Sequence, residues 1–488
     1  MKPPRLNQSA AAIAVALAGL AAPSIGHAAG EAKNVIFFLA DGMGPVTTTA
    51  ARIFKYKEEG SLTMDTLPYA ARVKTYSLDA QTTDSAPSMA AYTTGVKSRN
   101  EVVAMDGNAF AQISRSNSYR PTADPATGVP NAVNNCPATG NGASVPTLLE
   151  MAIAKGKATG AVTTARLTHA TPAATYAHIC HRDAEYEIAR QAVPAGAGFN
   201  TALGNGVDVL MGGMSQYWRP YDASARPRGR PDGRDLVAEL QARGYSYVSD
   251  LPSMNAAQVV AGTKLIGLFD QAAAQGHMSY EADRNPNLEP SLSQMATKAI
   301  DVLSKNGNGF FLMVEGGRID HALHGTNAYR AFTDTIAFDD AIKAVIDKVK
   351  TFDPNLSQTL IVVTADHDHT IAFNGYGKRG TDILGPNIDY ATGKPSLDAN
   401  GVPYSTIVFG NGANRPATRV SPLTDTANNP ITSKDYLQEV AIKLGGAGSE
   451  THGGGDVKLH AIGAAAATFK GTIDNTKVFS LIKSAAGY

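Results

Sequence analysis

Four short apolar segments that end directly in polar residues constrain the fold more than any other feature of this sequence. They are residues 34–40, 160–164, 309–314 and 359–365. Each has the length and the aliphatic and aromatic content of a buried strand. Segments with apolar residues at helical spacing lie among them, at residues 145–155, 291–303 and 329–349. The pattern therefore indicates strands that alternate with helices.

This alternation predicts an α/β fold with a central, mostly parallel sheet of about ten strands and helices on both faces. Ligands of such sheets bind at the carboxyl ends of the strands. We therefore expect the polar residues that follow the strands to meet at one edge. Residues 375–450 differ, because they are rich in Gly, Pro, Asn and Thr and show little periodicity. They predict a loop-rich insertion.

The N-terminal 28 residues have the pattern of a secretory signal peptide. Lys2 and Arg5 precede an apolar run at residues 10–22, and the segment ends in Gly26-His27-Ala28. A membrane anchor is the alternative, but the run is shorter than the roughly 20 apolar residues that cross a bilayer. The sequence predicts cleavage after Ala28. The mature domain, residues 29–488, is then expected in the periplasm or outside the cell, without a membrane segment.

The charge balance argues against one class of function, and the cysteines allow a single disulfide. The 43 Lys and Arg residues balance 43 Asp and Glu residues, so nothing points to a nucleic-acid-binding module. The chain has two cysteines, Cys136 and Cys180. In an oxidising compartment they could form a disulfide, but two free buried thiols are also compatible with the sequence.

Asp320 and His324 are four residues apart, which places both side chains on one face of a helix and suits a divalent metal. An ordinary surface pair is the commoner origin of this spacing. The strand ends change that interpretation, because they add Glu315, Asp41, Asp366, His367, Asp368 and His369. Burial of so many ionisable groups is costly unless they are paired or bind metals. His452 adds an imidazole among glycines, and the mixture without cysteine favours an open, catalytic zinc and magnesium site.

Ser85 stands where a helix is predicted to begin, with Asp84 as the capping residue and Pro87 in the first turn. A helix N-terminus attracts phosphate through its N–H groups and its partial positive charge. A serine at this position becomes a nucleophile when a metal lowers the pKa of its hydroxyl. An ordinary capped helix is the alternative interpretation of this segment.

Taken together, these segments resemble the alkaline phosphatase family, and its animal branch most closely. The matching segments are Asp41-Gly42-Met43-Gly44, Thr83-Asp84-Ser85-Ala86, Thr94-Gly95-Val96-Lys97, Thr168-His169-Ala170-Thr171-Pro172-Ala173, Thr175-Tyr176-Ala177-His178, Glu315-Gly316-Gly317-Arg318-Ile319-Asp320-His321, Thr364-Ala365-Asp366-His367 and Glu450-Thr451-His452-Gly453-Gly454. The resemblance runs from about residue 34 to about residue 456. It covers nearly all of the predicted mature chain.

The resemblance implies a role for each matching residue. The expected ligands of a first zinc ion are Asp320, His324 and His452. Those of a second zinc ion, which also touches Ser85, are Asp41, Asp366 and His367. Those of a magnesium ion are Asp41, Glu315 and Thr171, with His169 beside them. Arg182 matches the arginine that binds the substrate phosphate through a bidentate fork, and His369 matches a further histidine near the zinc ions.

The implied activity is that of a secreted, metal-dependent phosphomonoesterase with two zinc ions and one magnesium ion per chain. It hydrolyses phosphate monoesters by two in-line displacements through a phosphoserine at Ser85. The implied assembly is a two-fold homodimer, with residues 375–450 as a crown-like insertion at the interface. The resemblance leaves two family features open, a calcium site and a disulfide. Asn285 stands where the calcium site of animal members has an aspartate, and Cys180 does not match their disulfide position.

The sequence argues against three alternative functions. A sulfatase needs an arginine four residues after its nucleophile, where this chain has Met89. A phosphodiesterase has to accommodate a second ester group, whereas Arg182 matches the extra charge of a monoester dianion. A non-catalytic metal- or phosphate-binding protein would not need Ser85 and Arg182 together.

Overall fold

The computed structural model describes residues 32–111, 140–224, 229–230, 232–269, 276–425, 427–445 and 448–488. The predicted signal peptide, residues 1–28, lies outside the described residues, and so does Cys136. Cys180 is disulfide-bonded. None of the described helices combines the length and apolar character that a membrane-spanning segment requires.

The described residues form the following strands: β1 (Asn34–Ala40), β2 (Tyr69–Lys74), β3 (Ala158–Arg166), β4 (Val209–Gly213), β5 (Tyr245–Val248), β6 (Lys264–Leu268), β7 (Phe310–Gly316), β8 (Thr359–Ala365), β9 (Asp368–His369), β10 (Ile371–Phe373), β11 (Ile407–Gly412), β12 (Val440–Lys443), β13 (His452–Gly453), β14 (Val457–Gly463) and β15 (Gly471–Asp474). Ten of them form one sheet in the order β15-β2-β14-β8-β1-β7-β3-β4-β6-β5. Strand β14 is antiparallel to both neighbours, and the other pairings are parallel. The predicted α/β class with a mostly parallel sheet of about ten strands is confirmed.

The helices are α1 (Pro45–Tyr56), α2 (Ser85–Thr94), α3 (Leu148–Ala154), α4 (Ala170–Tyr176), α5 (Glu185–Gln191), α6 (Leu236–Gln241), α7 (Leu251–Ala256), α8 (Leu292–Leu303), α9 (Arg318–His324), α10 (Ala328–Lys350) and α11 (Asn475–Ala486). Consecutive side chains of β1 show that helices cover both faces of the sheet. Phe37 packs against Tyr92 of α2, with ring centroids 5.6 Å apart, and Phe38 packs against Phe338 of α10 at 5.7 Å. Because successive side chains of a strand point to opposite faces, α2 and α10 lie on opposite sides.

The predicted strands at residues 34–40 and 359–365 have the bounds of β1 and β8. The other two strands, β3 and β7, are longer than predicted. Strand β3 begins two residues earlier and ends two residues later, and β7 continues through Glu315 and Gly316 at its carboxyl end. The loop-rich region 375–450 contains β11 and β12, which join β10 in a small three-stranded sheet. The sequence did not indicate these strands, since only part of each strand is buried.

The register of the central strands positions the polar residues. Ala40 of β1 pairs with Gly316 of β7 on one side and with Ala365 of β8 on the other. The strands therefore end level with one another, and Asp41, Glu315 and Asp366 meet at one edge, as the sequence predicted.

Candidate active site

The ligand atoms of Asp320, His324 and His452 lie together where α9 approaches β13. His324 Nε2 is 3.1 Å from His452 Nε2, and Asp320 Oδ1 is 3.3 Å from the first nitrogen and 3.4 Å from the second. Around a tetrahedral zinc ion with ligands at about 2.0–2.1 Å, neighbouring ligand atoms are ~3.4 Å apart. The spacing therefore fits such an ion.

The tautomers of the two rings also favour a cation at this position. His324 Nδ1 donates to the Glu450 carbonyl at 2.5 Å, and His452 Nδ1 donates to the Thr83 carbonyl at 2.8 Å. A carbonyl only accepts, so each Nδ1 carries a proton, and in a neutral ring each Nε2 then carries a lone pair. Burial lowers the pKa of both rings and keeps them neutral. Two lone pairs and a carboxylate oxygen at these distances repel one another unless a cation lies between them.

A second group surrounds the hydroxyl of Ser85. His367 Nε2 is 3.3 Å from Asp41 Oδ1 and 3.3 Å from Asp366 Oδ2. Ser85 Oγ lies 3.3 Å from Asp41 Oδ1 and 3.3 Å from His367 Nε2. All four side chains are buried, and the three potential metal ligands converge closely enough to bind one ion. The four equal spacings again match the edges of a tetrahedral zinc site.

A third group lies on the other side of Asp41, where the Asp41, His169 and Glu315 side chains also converge closely enough to hold an ion. Within the described residues, four buried atoms here have no hydrogen-bond partner: Asp41 Oδ2, His169 Nδ1, Thr171 Oγ1 and Glu315 Oε1. Asp41 Oδ2 is 4.0 Å from His169 Nδ1. Oxygen atoms predominate, which suits a hard cation such as magnesium. The two oxygens of Asp41 thus face two different groups.

Burial sets the charge state of these acids. It raises the pKa of Glu315 to about 8 and that of Asp366 to about 7, and neighbouring carboxylates add to both shifts. Burial also raises the pKa of Asp41 well above its usual value, assisted by the charges of Asp320 and Glu315. Asp320 differs, because nearby histidines outweigh the effect of burial and hold its pKa well below the usual value. Carboxylates that resist ionisation without a cation are typical of metal sites.

Ser85 is the first residue of α2, and Asp84 caps this helix by accepting from the Ala86 N–H at 2.7 Å. Two of the first three residues of α2 offer no free N–H. Asp84 occupies the N–H of Ala86, and Pro87 has none. Arg182 lies beside the start of this helix, with its Nη1 3.2 Å from Asp84 Oδ1 and its Nη2 2.9 Å from His169 Nε2.

The structure thus brings all the predicted site residues to one edge of the sheet. The sequence did not indicate that Asp84 pairs with Arg182, nor that Glu450 contacts His369. His369 Nε2 lies 2.9 Å from Asp320 Oδ1, and its Nδ1 lies 2.5 Å from Glu450 Oε2. Burial alone would lower the pKa of His369, but the two carboxylates raise it to about 10. The one feature of the sequence that could have indicated a role for Glu450 is its position two residues before His452.

An open α/β sheet with three adjacent groups of candidate metal ligands, one of them against a serine hydroxyl, is typical of a metal-dependent enzyme. The family model of alkaline phosphatase matches residues 32–488. The chain is 36% identical over 466 residues to the alkaline phosphatase of Gadus morhua, covering 89% of this chain and 87% of that relative. It is 33% identical over 482 residues to the membrane-bound alkaline phosphatase of Bombyx mori, covering 93% and 80%. The chain belongs to the alkaline phosphatase family and is a phosphatase.

Solved structures show the same fold. The Thermus thermophilus alkaline phosphatase superposes with a TM-score of 0.63 at 24% identity, covering 97% of this chain and 96% of that one. The alkaline phosphatase of the Antarctic bacterium TAB5 superposes with a TM-score of 0.61 at 22% identity, covering 93% and 98%.

Proposed function

We propose that this chain is a secreted phosphomonoesterase that releases an alcohol and inorganic phosphate from phosphate monoesters through a phosphoserine at Ser85. The observation that carries this proposal is the position of Ser85 Oγ, 3.3 Å from Asp41 Oδ1 and from His367 Nε2. The hydroxyl shares its surroundings with two of the potential metal ligands. This environment suits an activated nucleophile.

The proposed cofactors are two zinc ions and one magnesium ion per chain. The first zinc ion would be held by Asp320, His324 and His452. The second would be held by Asp41, Asp366 and His367, next to Ser85. Magnesium would be held by Asp41, Glu315 and Thr171, with His169 beside it. When bound, the metals supply positive charge that lowers the pKa of the Ser85 hydroxyl and stabilises the departing alkoxide.

The residues of this chain perform two displacements in this proposal. Ser85 Oγ gives its proton to solvent and attacks phosphorus, the ester P–O bond breaks, and the leaving alkoxide takes up a proton from solvent and departs as the alcohol. A water molecule then gives up one proton and attacks the phosphoserine, the bond between Ser85 and phosphorus breaks, and the serine oxygen takes up a proton. Arg182 binds two phosphoryl oxygens through both steps, since a guanidinium fork matches that geometry. Asp84 orients the fork.

A direct test compares a simple aryl phosphate monoester with the corresponding diester on the metal-loaded enzyme. We expect kcat/KM for the monoester to exceed that for the diester by more than tenfold, because the half-buried Arg182 cation matches the additional negative charge of the monoester. Preference for the diester would overturn the proposed substrate class. Tight phosphate binding without turnover of either compound would indicate a non-catalytic binding protein.

The proposed assembly is a two-fold homodimer, with residues 375–450 as a crown-like insertion at the interface. This region exposes large apolar side chains, since Tyr376 is 84% exposed, Tyr390 67% and Leu397 57%. Exposed apolar groups clustered in one region favour association. Light scattering at micromolar concentration should give twice the chain mass, and Tyr376→Asp should shift it towards the monomer. A monomeric mass for the unmodified protein would contradict the proposal.

The proposed route to the periplasm or the exterior is cleavage of the signal peptide after Ala28. N-terminal sequencing of protein recovered from the periplasm or medium should then begin at Ala29. Retention of Met1 in the active enzyme would contradict this.

A further inference from the structure

Glu450 is a buried carboxylate that is not among the proposed metal ligands. Its side chain is fully buried. Oε1 accepts from the Thr370 N–H at 2.7 Å and from the Thr370 hydroxyl, and Oε2 lies 2.5 Å from His369 Nδ1. A buried carboxylate is tolerated when donors surround it, and here each oxygen has at least one.

The contact with His369 connects Glu450 to Asp320, an expected ligand of the first zinc ion. The second nitrogen of His369, Nε2, lies 2.9 Å from Asp320 Oδ1. That oxygen also faces the Nε2 atoms of His324 and His452. An imidazole that donates to a carboxylate on each side fixes the orientation of both. The carboxylate of Glu450 therefore holds His369, and His369 holds Asp320.

The backbone of Glu450 reaches a second expected ligand. Its N–H donates to the His324 carbonyl at 3.0 Å, and its own carbonyl accepts from His324 Nδ1 at 2.5 Å. This second bond selects the tautomer that leaves His324 Nε2 free for a metal. The third ligand, His452, follows two residues later in β13, which pairs with the β9 strand that carries His369. One residue is thus linked to all three expected ligands.

We propose that Glu450 is a positioning residue that preorganises the first metal site, through His369 with its carboxylate and through His324 with its backbone. This inference rests on the proposed assignment of Asp320, His324 and His452 to the first zinc ion. Direct metal binding by Glu450 is the competing interpretation, because His324, His369 and Glu450 also lie close together. The distances oppose it. The 2.5 Å between His369 Nδ1 and Glu450 Oε2 is a hydrogen-bond length. Ligand atoms of one zinc ion are ~3.4 Å apart.

The test uses Glu450→Gln in the full-length, metal-depleted protein that is reloaded with zinc. Glutamine keeps the shape and the acceptor for Thr370 but removes the charge opposite His369. We expect the dissociation constant of one zinc ion, measured by competition with a chromogenic chelator, to rise ten- to a hundredfold, the usual size of such effects. The other zinc ion should be unaffected. The visible spectrum of the cobalt-substituted protein should shift, since it reports ligand geometry. Thr370→Val, which removes only the neighbouring hydroxyl, should change zinc affinity by less than about threefold.

A double-mutant cycle separates positioning through His369 from a general loss of structure. If Glu450 acts through His369, the variant with both His369→Ala and Glu450→Gln should bind zinc no more weakly than His369→Ala alone. Additive losses, or unchanged zinc affinity in Glu450→Gln, would overturn the inference. Complete loss of one metal ion in Glu450→Gln but not in His369→Ala would make Glu450 a direct ligand instead. A different result would show that the proposed metal assignment itself is wrong. In that case Asp320→Ala would leave the zinc content of the enzyme unchanged.

Discussion

Asp84 and Arg182 form an ion pair in which Arg182 Nη1 lies 3.2 Å from Asp84 Oδ1, and the same oxygen caps the helix that begins with Ser85. One carboxylate therefore fixes the expected nucleophile and the expected phosphate-binding cation relative to each other. Its other oxygen accepts from the Glu101 N–H, and this contact joins the pair to a neighbouring loop. Such preorganisation matters because errors of about 1 Å in the position of reacting groups can cost a hundredfold in rate.

Arg182→Ala should weaken competitive inhibition by inorganic phosphate ten- to a hundredfold, about 1.5–3 kcal/mol, because a bidentate, charge-assisted contact is lost. Asp84→Ala should weaken phosphate binding by less than tenfold, since the cation remains but is less well oriented. It should also destabilise α2 by about 1 kcal/mol through loss of its cap. Inhibition constants and thermal unfolding midpoints measure the two effects.

Arg182→Lys keeps the charge without the fork, and its inhibition constant for phosphate should fall between those of wild type and Arg182→Ala. Equal phosphate inhibition of Arg182→Ala and wild type would contradict the role of this arginine.

Ser85→Ala should lower kcat by on the order of 10³-fold or more, because the covalent route is lost while the metal sites and Arg182 remain. Residual turnover above the uncatalysed rate is expected, since charge stabilisation does not depend on the nucleophile. Enzyme quenched with acid after incubation with labelled phosphate should carry the label on Ser85. Label on another residue, or wild-type activity of Ser85→Ala, would rule out Ser85 as the nucleophile.

Asp41→Ala should remove two metal ions, because Asp41 Oδ1 faces His367 and Ser85 while Asp41 Oδ2 faces the group that contains His169. Asp320→Ala, the matched control, should remove only one ion. Metal analysis after gel filtration counts the ions directly, and chelation of the wild type followed by addition of zinc and magnesium should abolish and then restore activity. Loss of a single ion in Asp41→Ala would show that its two oxygens do not serve separate sites.

The metal-free protein should lose stability as pH rises from about 6.5 to about 8. Burial raises the pKa of Asp366 to about 7 and that of Glu315 to about 8, whereas both are ionised in the unfolded chain above about pH 4.5. The folded state therefore holds more protons in this window, and the free energy of unfolding falls with pH by at most ~1.4 kcal/mol per group and pH unit. Buried histidines with a lowered pKa act in the opposite direction only below about pH 6.5.

Thermal unfolding at pH 6.5 and pH 8, with and without a chelator, measures this effect. The metal-loaded protein is the control, because bound cations keep the carboxylates ionised and should remove the loss of stability. A metal-free protein that is more stable at pH 8 than at pH 6.5 would show that these carboxyls are already ionised in the folded state.

The sequence was most informative where a local pattern carried the chemistry. The apolar runs that became β1 and β8 show their burial directly, and each is followed by an acidic residue, Asp41 or Asp366. The strand register then brings those residues together, because the parallel strands end level with one another. The spacing of Asp320 and His324 likewise needed only the geometry of a single helix, which the structure provides as α9.

The contacts between distant segments could not be predicted in this way. The bond between Glu450 and His369 spans 81 positions, and the ion pair between Asp84 and Arg182 spans 98. The spacing of apolar residues indicates local secondary structure. It does not indicate which polar side chains from distant segments contact each other.

The sequence by itself therefore determined the fold class, the edge of the sheet that carries the site and the residue types that gather there. Periodicity and strand ends are local properties, and burial follows from them. Only the tertiary structure decided which nitrogen of each histidine faces the metal sites, how the two oxygens of Asp41 are divided between them, and which carboxylates hold Arg182 and His369 in place. These features depend on packing between segments far apart in the chain, where differences of about 1 Å decide whether two atoms share a proton, share a cation or have no contact.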